Sequence, residues 1–148
     1  IISYLALKDD VKVAVRAGVG PNAGHTVVHK GKSYKLRMLP SAFVNEKCRL
    51  LIGPGVLVNP DIFLDEVKSL DCADRVGLDP QCAVIEPHHI EADRRGVLAE
   101  KIKTTGSGTG PCNADRALRK ARLARDVEEL KERLSGGGKF DGMLCLEP

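Results

Sequence analysis

The spacing of hydrophobic and polar positions predicts several short strands along the chain. Residues 11–16, VKVAVR, alternate between apolar and polar side chains, which is typical of a half-buried strand. Comparable apolar segments recur further along, and most are bounded by glycine, proline or aspartate. The predicted strands are residues 11–16, 26–29, 33–38, 49–52, 56–58, 75–78 and 83–85 and the closing MLCLEP segment. Lys30-Gly31-Lys32 separates the second and third of these, which predicts a hairpin with Gly31 in its turn.

Longer apolar periodicities predict helices between these strands. The chain starts with an apolar, helix-like segment, IISYLAL, and two further helices are predicted at residues 90–101 and 113–134. A fourth runs from Asn59-Pro60-Asp61 to residue 70, because Asn59 or Asp61 can cap it. Its expected buried stripe is Phe63, Leu64, Val67 and Leu70, and that of the last helix is Ala117, Ala121, Ala124, Val127 and Leu130. Strands that alternate with helices favour an α/β fold.

The composition is that of one folded domain. The 148 residues include 43% hydrophobic and 29% charged residues, which excludes wholesale disorder, a collagen repeat and a coiled coil. No apolar run reaches the roughly 18 to 20 residues that cross a bilayer, and the first residues lack the features of a signal peptide. We therefore expect neither membrane insertion nor export.

Charge and cysteine content narrow the partners and the compartment. The net charge is +3 and aromatic residues make up 3%, which does not favour nucleic acid binding and leaves anionic small molecules open. Five cysteines without CxxC spacing suggest neither a disulfide framework nor a zinc site. We expect Cys48, Cys72, Cys82, Cys112 and Cys145 to be reduced and mostly structural, in the cytosol.

GPNAGHTV, residues 20–27, is the first segment that can carry chemistry, and we call it the first glycine loop. Its glycines allow a charged ligand to approach the backbone, and Asn22 and His25 add polar side chains. His25 titrates near neutrality and can act as a general acid or donate to a developing oxyanion. On spacing alone, a structural loop and a ligand site both remain open.

TTGSGTGP, residues 104–111, is the second such segment, here called the second glycine loop. Backbone amides before a helix favour phosphate, although the segment is neither a Walker A loop nor GxGxxG. Phosphate binding and a flexible linker are equally compatible with it.

Two charged clusters have plainer interpretations. The basic face of the last predicted helix is interleaved with acidic residues and is expected to be solvated; it consists of Arg116, Arg119, Lys120, Arg122 and Arg125. Glu86, His88 and His89 resemble metal ligands, but neighbouring side chains diverge on a helix, so we expect a structural or surface pair.

Three segments in this order resemble adenylosuccinate synthetases, and most closely the shorter archaeal-type members: GPNAGHTVVHKGKSYKLRMLPS, LLIGPGVLVNPDIFLDEV and KTTGSGTGPCNADRALRKA. The resemblance implies an α/β fold like that of P-loop nucleotide hydrolases, with a mainly parallel sheet flanked by helices. It also implies a cytosolic, homodimeric ligase that joins IMP and L-aspartate with GTP and Mg²⁺. The 6-oxygen of IMP is first phosphorylated by GTP, and the aspartate amine then displaces the phosphate.

The resemblance also assigns roles to residues of both loops. His25 matches the acid that faces the 6-oxygen, and Gly24 matches the glycine whose carbonyl binds Mg²⁺. Asn22 matches the asparagine near the IMP phosphate, and Thr26 the hydroxyl beside the GTP phosphates, with Ala23 between them. Thr104 and Thr105 match the threonine pair of the IMP phosphate site. Arg119 matches the arginine that reaches the IMP phosphate of the neighbouring subunit.

The sequence also departs from the family pattern. The family's GDEGKGK-type phosphate loop, which carries the general base, and the later segments for guanine and L-aspartate are not found, so residues 1–148 are expected to form one partial domain. Ser107 stands where many relatives have arginine, and Asn113 replaces a common aromatic residue. Two alternatives stay open: a phage-type relative that uses dGMP, and a non-catalytic nucleotide-binding module.

Overall fold

The computed structural model describes residues 1–95, 103–135 and 144–147. Its helices are α1 Ile2–Lys8, α2 Pro60–Ser69, α3 Pro87–Arg95 and α4 Thr109–Ala117. Its strands are β1 Val13–Arg16, β2 His25–His29, β3 Lys32–Leu36, β4 Arg49–Ile52, β5 Leu57–Val58, β6 Val76–Leu78, β7 Ala83–Val84 and β8 Leu144–Glu147. Short 3-10 helices are Ser41–Val44, Ala124–Asp126 and Glu128–Arg133. In this part of the chain, no helix is both long and apolar enough to cross a membrane.

A parallel four-stranded sheet in the order β6-β4-β1-β8 organises the fold. In its register, Val13 of β1 lies beside Arg49 of β4 on one side and Leu144 of β8 on the other. β5 and β7 form a second, parallel pair, and β2 and β3 form an antiparallel hairpin. The predicted α/β class with a mainly parallel sheet is thereby confirmed.

Two apolar clusters hold these elements together. The larger joins the sheet to α2, and its most buried side chains include Leu50, Ile52, Leu78 and Phe63. Burying a side chain of this size contributes about 1.5 to 3 kcal/mol. The smaller cluster packs α4 against β5 and β7, and consists of Leu57, Ala83, Ile85 and Cys112. The second glycine loop therefore precedes a helix with its own small core.

The hairpin turn and α2 follow the sequence closely. Lys30 and Gly31 have φ angles of 49° and 74°, which is the geometry of a type I′ turn and confirms the place of Gly31. The Asn59 side chain caps α2 by accepting a hydrogen bond from the amide of Ile62 at 3.1 Å, as predicted.

The buried face of α2 contains a carboxylate that the apolar pattern did not predict. Phe63 and Val67 are buried, whereas Leu64 and Leu70 are partly exposed. Glu66 is buried as well, and its carboxylate accepts hydrogen bonds from three successive backbone amides after β3, those of Arg37, Met38 and Leu39. This one side chain therefore fixes the path of the chain between the hairpin and the first 3-10 helix.

The predicted helix at residues 113–134 is wrong in both bounds. α4 begins at Thr109 and ends at Ala117, and Arg119 has a φ of 59°. Residues 122–124 then pair with the edge of β7. The amide of Val84 donates to the carbonyl of Arg122, and the amide of Ala124 donates to the carbonyl of Cys82. This pairing outweighs the helical propensity of the segment. Of the predicted buried stripe, Ala124, Val127 and Leu130 are buried, because their three-residue spacing also fits 3-10 helices. Ala117 is exposed and Ala121 is partly buried, so this part of the prediction is wrong.

The remaining predictions differ only in their bounds or lie outside the description. The helix predicted from residue 90 starts at Pro87, and its predicted end at 96–101 lies outside the described residues. The closing strand is present as β8. Of the cysteines, Cys48, Cys72, Cys82 and Cys112 are buried, whereas the side chain of Cys145 is not described.

Candidate functional site

The first glycine loop lies where the central parallel strands end. β1 ends at Arg16 and leads into this loop, and β8, its neighbour in the sheet, ends at Glu147. Ligands of open α/β sheets bind at the carboxyl ends of the strands. The loop is therefore in the position where a substrate site is expected.

His25, the first residue of β2, is held by the fully buried Arg16. Nη1 of Arg16 lies 3.1 Å from His25 Nδ1, and its Nη2 donates to the carbonyl of Ala23 at 2.6 Å. A guanidinium group can only donate, so His25 Nδ1 must accept. In the neutral ring, the proton is therefore on Nε2.

His25 Nε2 is buried and has no partner in hydrogen-bond geometry among the described residues, although the backbone carbonyl of Leu39 is close enough to act on the ring and to oppose the fall in its pKa. The nearest charge is Glu147 Oε1, at 3.7 Å. Both carboxylate oxygens of Glu147 are already engaged by Ser41, through its amide and its hydroxyl. A buried donor without an acceptor is costly, so Nε2 marks a point where a ligand oxygen would be favourable.

The surroundings keep His25 neutral at pH 7. Burial lowers the pKa of His25 below its ordinary value of 6.5, Glu147 opposes this shift, and Arg16 adds to it. The side chain is therefore a neutral hydrogen-bond donor in its resting form.

The other predicted residues of this loop are exposed beside His25: Asn22, Ala23, Gly24 and Thr26. Gly20 is a glycine for packing reasons, because a Cβ there would lie 2.9 Å from the carbonyl oxygen of Leu57. Gly24 has neither a positive φ nor a crowded Cβ position, since the nearest atom would be 3.5 Å away. The fold itself therefore does not require a glycine at position 24.

The second glycine loop is fixed against α3. The Asp93 carboxylate accepts the amide of Gly108 at 2.9 Å, and the Asp93 carbonyl accepts the hydroxyl of Thr104 at 3.3 Å. Gly108 has a φ of 78°, and a Cβ there would lie 2.9 Å from Ile85 and from the amide of Ile90. The glycine is required by both conformation and packing, so this segment is an ordered loop within the described structure.

Hydroxyl groups and the start of α4 give the second glycine loop a polar surface. The hydroxyls of Thr105, Ser107 and Thr109 form a chain with oxygen separations of 2.8 and 2.9 Å. Gly108 is the N-cap of α4, and no side chain caps the helix. The first amides of α4 and these hydroxyls are groups that bind anions.

A cleft of about 160 Å³ beside the second glycine loop adds two guanidinium groups to it. Its lining includes Arg37, Asn59, Arg94, Thr105 and Ser107. Arg37 Nε donates to the Pro21 carbonyl of the first glycine loop at 2.8 Å, so Arg37 connects the two loops. A larger depression of about 400 Å³ is lined by α3 residues and contains none of the predicted site residues.

Sequence reasoning missed four charged residues of this region: Arg16, Arg37, Arg94 and Glu147. A usable signal existed for Arg16, because an arginine at the end of the apolar strand VKVAVR must be paired if it is buried. No comparable signal marked the other three, since their positions depend on tertiary contacts.

Arg119 is exposed and lies beyond the end of α4. Its guanidinium makes no hydrogen bond or ion pair with another described residue, whereas Arg116 donates to the carbonyls of Pro54 and Gly55. A nine-residue helix is about 14 Å long, and the second glycine loop lies at its other end. The structure thus does not bring Arg119 to Thr104 and Thr105 within one chain.

His89 is a buried, structural residue and His88 is exposed, although the reason expected for this outcome was wrong. The rings of His88 and His89 do not diverge, since their centroids are 3.9 Å apart. The ligand atoms of these two and Glu86 lie within 4.8 Å of one another. However, His89 Nδ1 accepts from the amide of Glu86 at 2.9 Å and its Nε2 contacts Asp115 at 3.2 Å, so both nitrogens are engaged.

Comparison with known proteins identifies relatives of this chain. A family model described as adenylosuccinate synthetase matches residues 1–137. The adenylosuccinate synthetase of Pyrococcus sp. is 52% identical over 139 residues, which cover 91% of this chain and 41% of that protein. That of Archaeoglobus fulgidus is 51% identical over 136 residues, covering 91% and 40%. The chain thus spans about two fifths of the length of these archaeal relatives, in agreement with the predicted archaeal type.

Solved structures extend the comparison to the fold. The fully ligated adenylosuccinate synthetase of Plasmodium falciparum has a TM-score of 0.74 at 23% identity, covering 83% of this chain and 31% of that one. The succinoaminodeoxyadenylate synthetase of cyanophage S-2L, bound to dGMP and dATP, has a TM-score of 0.77 at 26% identity, covering 98% and 45%. Since the family model spans nearly the whole sequence, this chain belongs to the adenylosuccinate synthetase family.

Proposed function

We propose that the polypeptide containing this chain joins IMP and L-aspartate into adenylosuccinate, with GTP converted to GDP and phosphate. Membership of the family supports the reaction class. The observation that carries the proposal is the buried Nε2–H of His25, which has no partner in hydrogen-bond geometry among the described residues. A donor prepared in this way suits an oxygen that gains negative charge during the reaction.

In the proposed first stage, the γ-phosphate of GTP is transferred to the 6-oxygen of IMP. Charge accumulates on the oxygens around the transferred group, and the Nε2–H of His25 donates to one of them. In the second stage, the aspartate amine attacks C6 and the phosphate leaves with the former 6-oxygen. The neutral ring can serve both stages as a donor, without a change in its own protonation.

The second glycine loop is proposed to hold the IMP phosphate. Thr104, Thr105, the first amides of α4 and the cleft with Arg37 and Arg94 together favour an anion. Asn22 is proposed to contact the same phosphate from the first glycine loop.

Thr26 and Ala23 are proposed to lie beside the GTP phosphates. Mg²⁺, which prefers oxygen ligands, would be held in part by the carbonyl of Gly24, where the missing side chain leaves the backbone accessible. Bound there, the metal would neutralise phosphate charge during transfer.

We also propose a homodimer in which Arg119 binds the IMP phosphate of the partner subunit. Its exposure and its place at the far end of α4 support an action in trans. Because the substrates are cytoplasmic metabolites, we place the reaction in the cytoplasm.

The test uses the complete polypeptide encoded by the gene that carries this chain. Incubated with IMP, GTP, Mg²⁺ and L-aspartate, it should release phosphate and form adenylosuccinate only when all four are present. A higher initial rate with dGMP than with IMP would favour the phage-type reaction, which the similarity to the S-2L enzyme makes the second candidate. Nucleotide binding without turnover would favour the non-catalytic module.

A further inference from the structure

We propose that Arg16 is a positioning residue that fixes His25 in the tautomer with its proton on Nε2. Glu147 attracts this N–H electrostatically without forming a hydrogen bond to it. The meaning of this arrangement for catalysis rests on the proposed function. The arrangement itself concerns the location of one proton and can be tested without turnover.

The buried position of Arg16 fixes the direction of its guanidinium group. Its side chain is fully buried in the central strand β1, and one arm of the guanidinium is held by the Ala23 carbonyl at 2.6 Å. The other arm then meets His25 Nδ1 at 3.1 Å. Because arginine keeps its protons at all ordinary pH values, this contact always presents a donor to Nδ1.

The alternative tautomer is disfavoured by the same geometry. With its proton on Nδ1, His25 would direct an N–H at the N–H of Arg16, and both donors would be buried without an acceptor. The lone pair would then be on Nε2, so the ring would accept hydrogen bonds at the point where the proposed reaction needs a donor.

Glu147 acts from the other side of the ring. Its Oε1 lies 3.7 Å from His25 Nε2, beyond hydrogen-bonding distance but close enough to attract the N–H. The amide and hydroxyl of Ser41, 106 positions away in the sequence, hold this carboxylate in place. An arriving ligand oxygen therefore finds an oriented donor whose hydrogen bond it does not have to break.

Three charged groups act on the imidazole, each from a different element. Arg16 comes from β1, Glu147 from β8 and Glu66 from α2. Arg16 is the one with a hydrogen bond to a ring nitrogen, so its replacement should change the tautomer most directly.

The decisive measurement is the two-bond ¹H–¹⁵N spectrum of the histidine rings at pH 7.5, recorded on this chain. His25→Asn identifies the His25 signals among the four histidines. We expect the Nε2–H pattern for His25. A proton on Nδ1 in the unsubstituted protein would overturn the proposal, whether or not any variant folds.

Arg16→Lys tests whether Arg16 causes the preference of His25 for the Nε2–H tautomer. A lysine can serve Ala23 or His25 but not both in the same geometry, so the spectrum should show a mixture of tautomers. The matched control is Arg75→Lys, because Arg75 is likewise a hydrogen-bonded arginine but lies away from His25. Its guanidinium donates to the backbone carbonyls of Phe43, Asn45 and Cys48. An unchanged His25 spectrum in folded Arg16→Lys, or an equal change in Arg75→Lys, would contradict the role of Arg16.

Kinetics of the complete gene product connect the tautomer to turnover. We expect Arg16→Lys to lower kcat about 10- to 100-fold and to change the KM for GTP by less than about threefold. If the wild-type product shows no ligase activity but the spectra behave as expected, the proposed function fails and the positioning of His25 stands. If the enzyme is active but kcat is unaffected by Arg16→Lys, Arg16 has no positioning role in catalysis.

Discussion

The two glycine-rich loops differ in what the fold prepares in each. The first glycine loop leads into a strand and places one titratable side chain, His25, on a buried arginine. The second precedes a helix and offers hydroxyls, amides and nearby guanidinium groups. In the proposed function, the first glycine loop therefore presents a single proton at a defined atom, and the second presents a more diffuse anion site.

The difference has a physical origin in how each loop is anchored. Arg16 and Glu147 lie at the ends of two neighbouring strands of the main sheet, so the surroundings of His25 are fixed by the larger core. The second loop is held by Asp93 and by α4, which packs on the smaller cluster. The residue proposed for directional chemistry thus stands on the larger cluster, whereas the loop proposed to bind phosphate stands on the smaller one.

Replacing His25 should produce the largest effect. In the complete gene product, His25→Asn should lower kcat about 100- to 10,000-fold, because a positioned donor is lost, and should leave nucleotide binding nearly intact. Initial rates together with equilibrium binding of GTP measure the two quantities.

His29→Asn is the matched control, since His29 lies at the other end of the same strand. Its turnover should stay close to that of the wild type. Near-normal turnover of His25→Asn would remove the contrast between the two loops, because neither loop would then carry a catalytic group.

Arg119 tests the anion-binding side of the comparison. A guanidinium contact to phosphate is worth roughly 1.5 to 3 kcal/mol, so Arg119→Ala should weaken IMP binding about ten- to a hundredfold and affect GTP less. Lysine should restore the affinity only partly. Arg125→Ala, at another exposed arginine, should leave IMP affinity unchanged in the same calorimetric titration.

The proposed action of Arg119 in trans has a separate readout. A ligand that binds only the assembled state shifts assembly by mass action, so IMP should favour the dimer in sedimentation experiments. If IMP leaves the monomer–dimer balance unchanged and Arg119→Ala binds IMP normally, Arg119 belongs to a solvated face.

Glu66 tests whether the two loops share a mechanical link. Its buried carboxylate holds the amides of residues 37–39, and Arg37 in turn contacts the first loop and lines the cleft of the second. Glu66→Gln should lower the free energy of unfolding by about 1 to 3 kcal/mol, since an amide cannot accept the same set of hydrogen bonds. Urea unfolding measures it, and Glu46→Gln, at an exposed position, should change little.

Alkaline pH tests the buried thiols of the two apolar clusters through the free energy of unfolding. Burial raises the pKa of Cys82, in the larger cluster, and of Cys112, in the smaller one, to about 12 from 9.0. Both thiols are protonated in both states below pH 9. Above it only the unfolded chain releases their protons, so stability should fall by up to about 1.4 kcal/mol per pH unit for each thiol.

Urea unfolding at pH 8 and pH 10 checks this expectation. The loss of stability between the two values should shrink in Cys112→Ala and shrink further when Cys82→Ala is added. An equal loss in the double variant would show that other groups cause the alkaline dependence.

Local rules were sufficient for the elements that the sequence predicted well. The cap at Asn59, the type I′ turn at Gly31 and the alternation in β1 each depend on residues close together in the chain. The motifs of both loops likewise carried the family resemblance, because a motif is a local string. The α/β class followed from the order of these local signals.

Tertiary structure decided the rest. Residues 122–124 pair with β7, so α4 ends near Arg119, against a helical pattern that continued beyond it. Arg16 reaches His25 across the first glycine loop, nine positions away in the sequence, whereas Glu147 reaches it because β1 and β8 are neighbours in the sheet. The sequence alone determined that a histidine stands in a glycine-rich loop, whereas the burial of Arg16 within the sheet, which only tertiary packing produces, decides which ring nitrogen faces a donor.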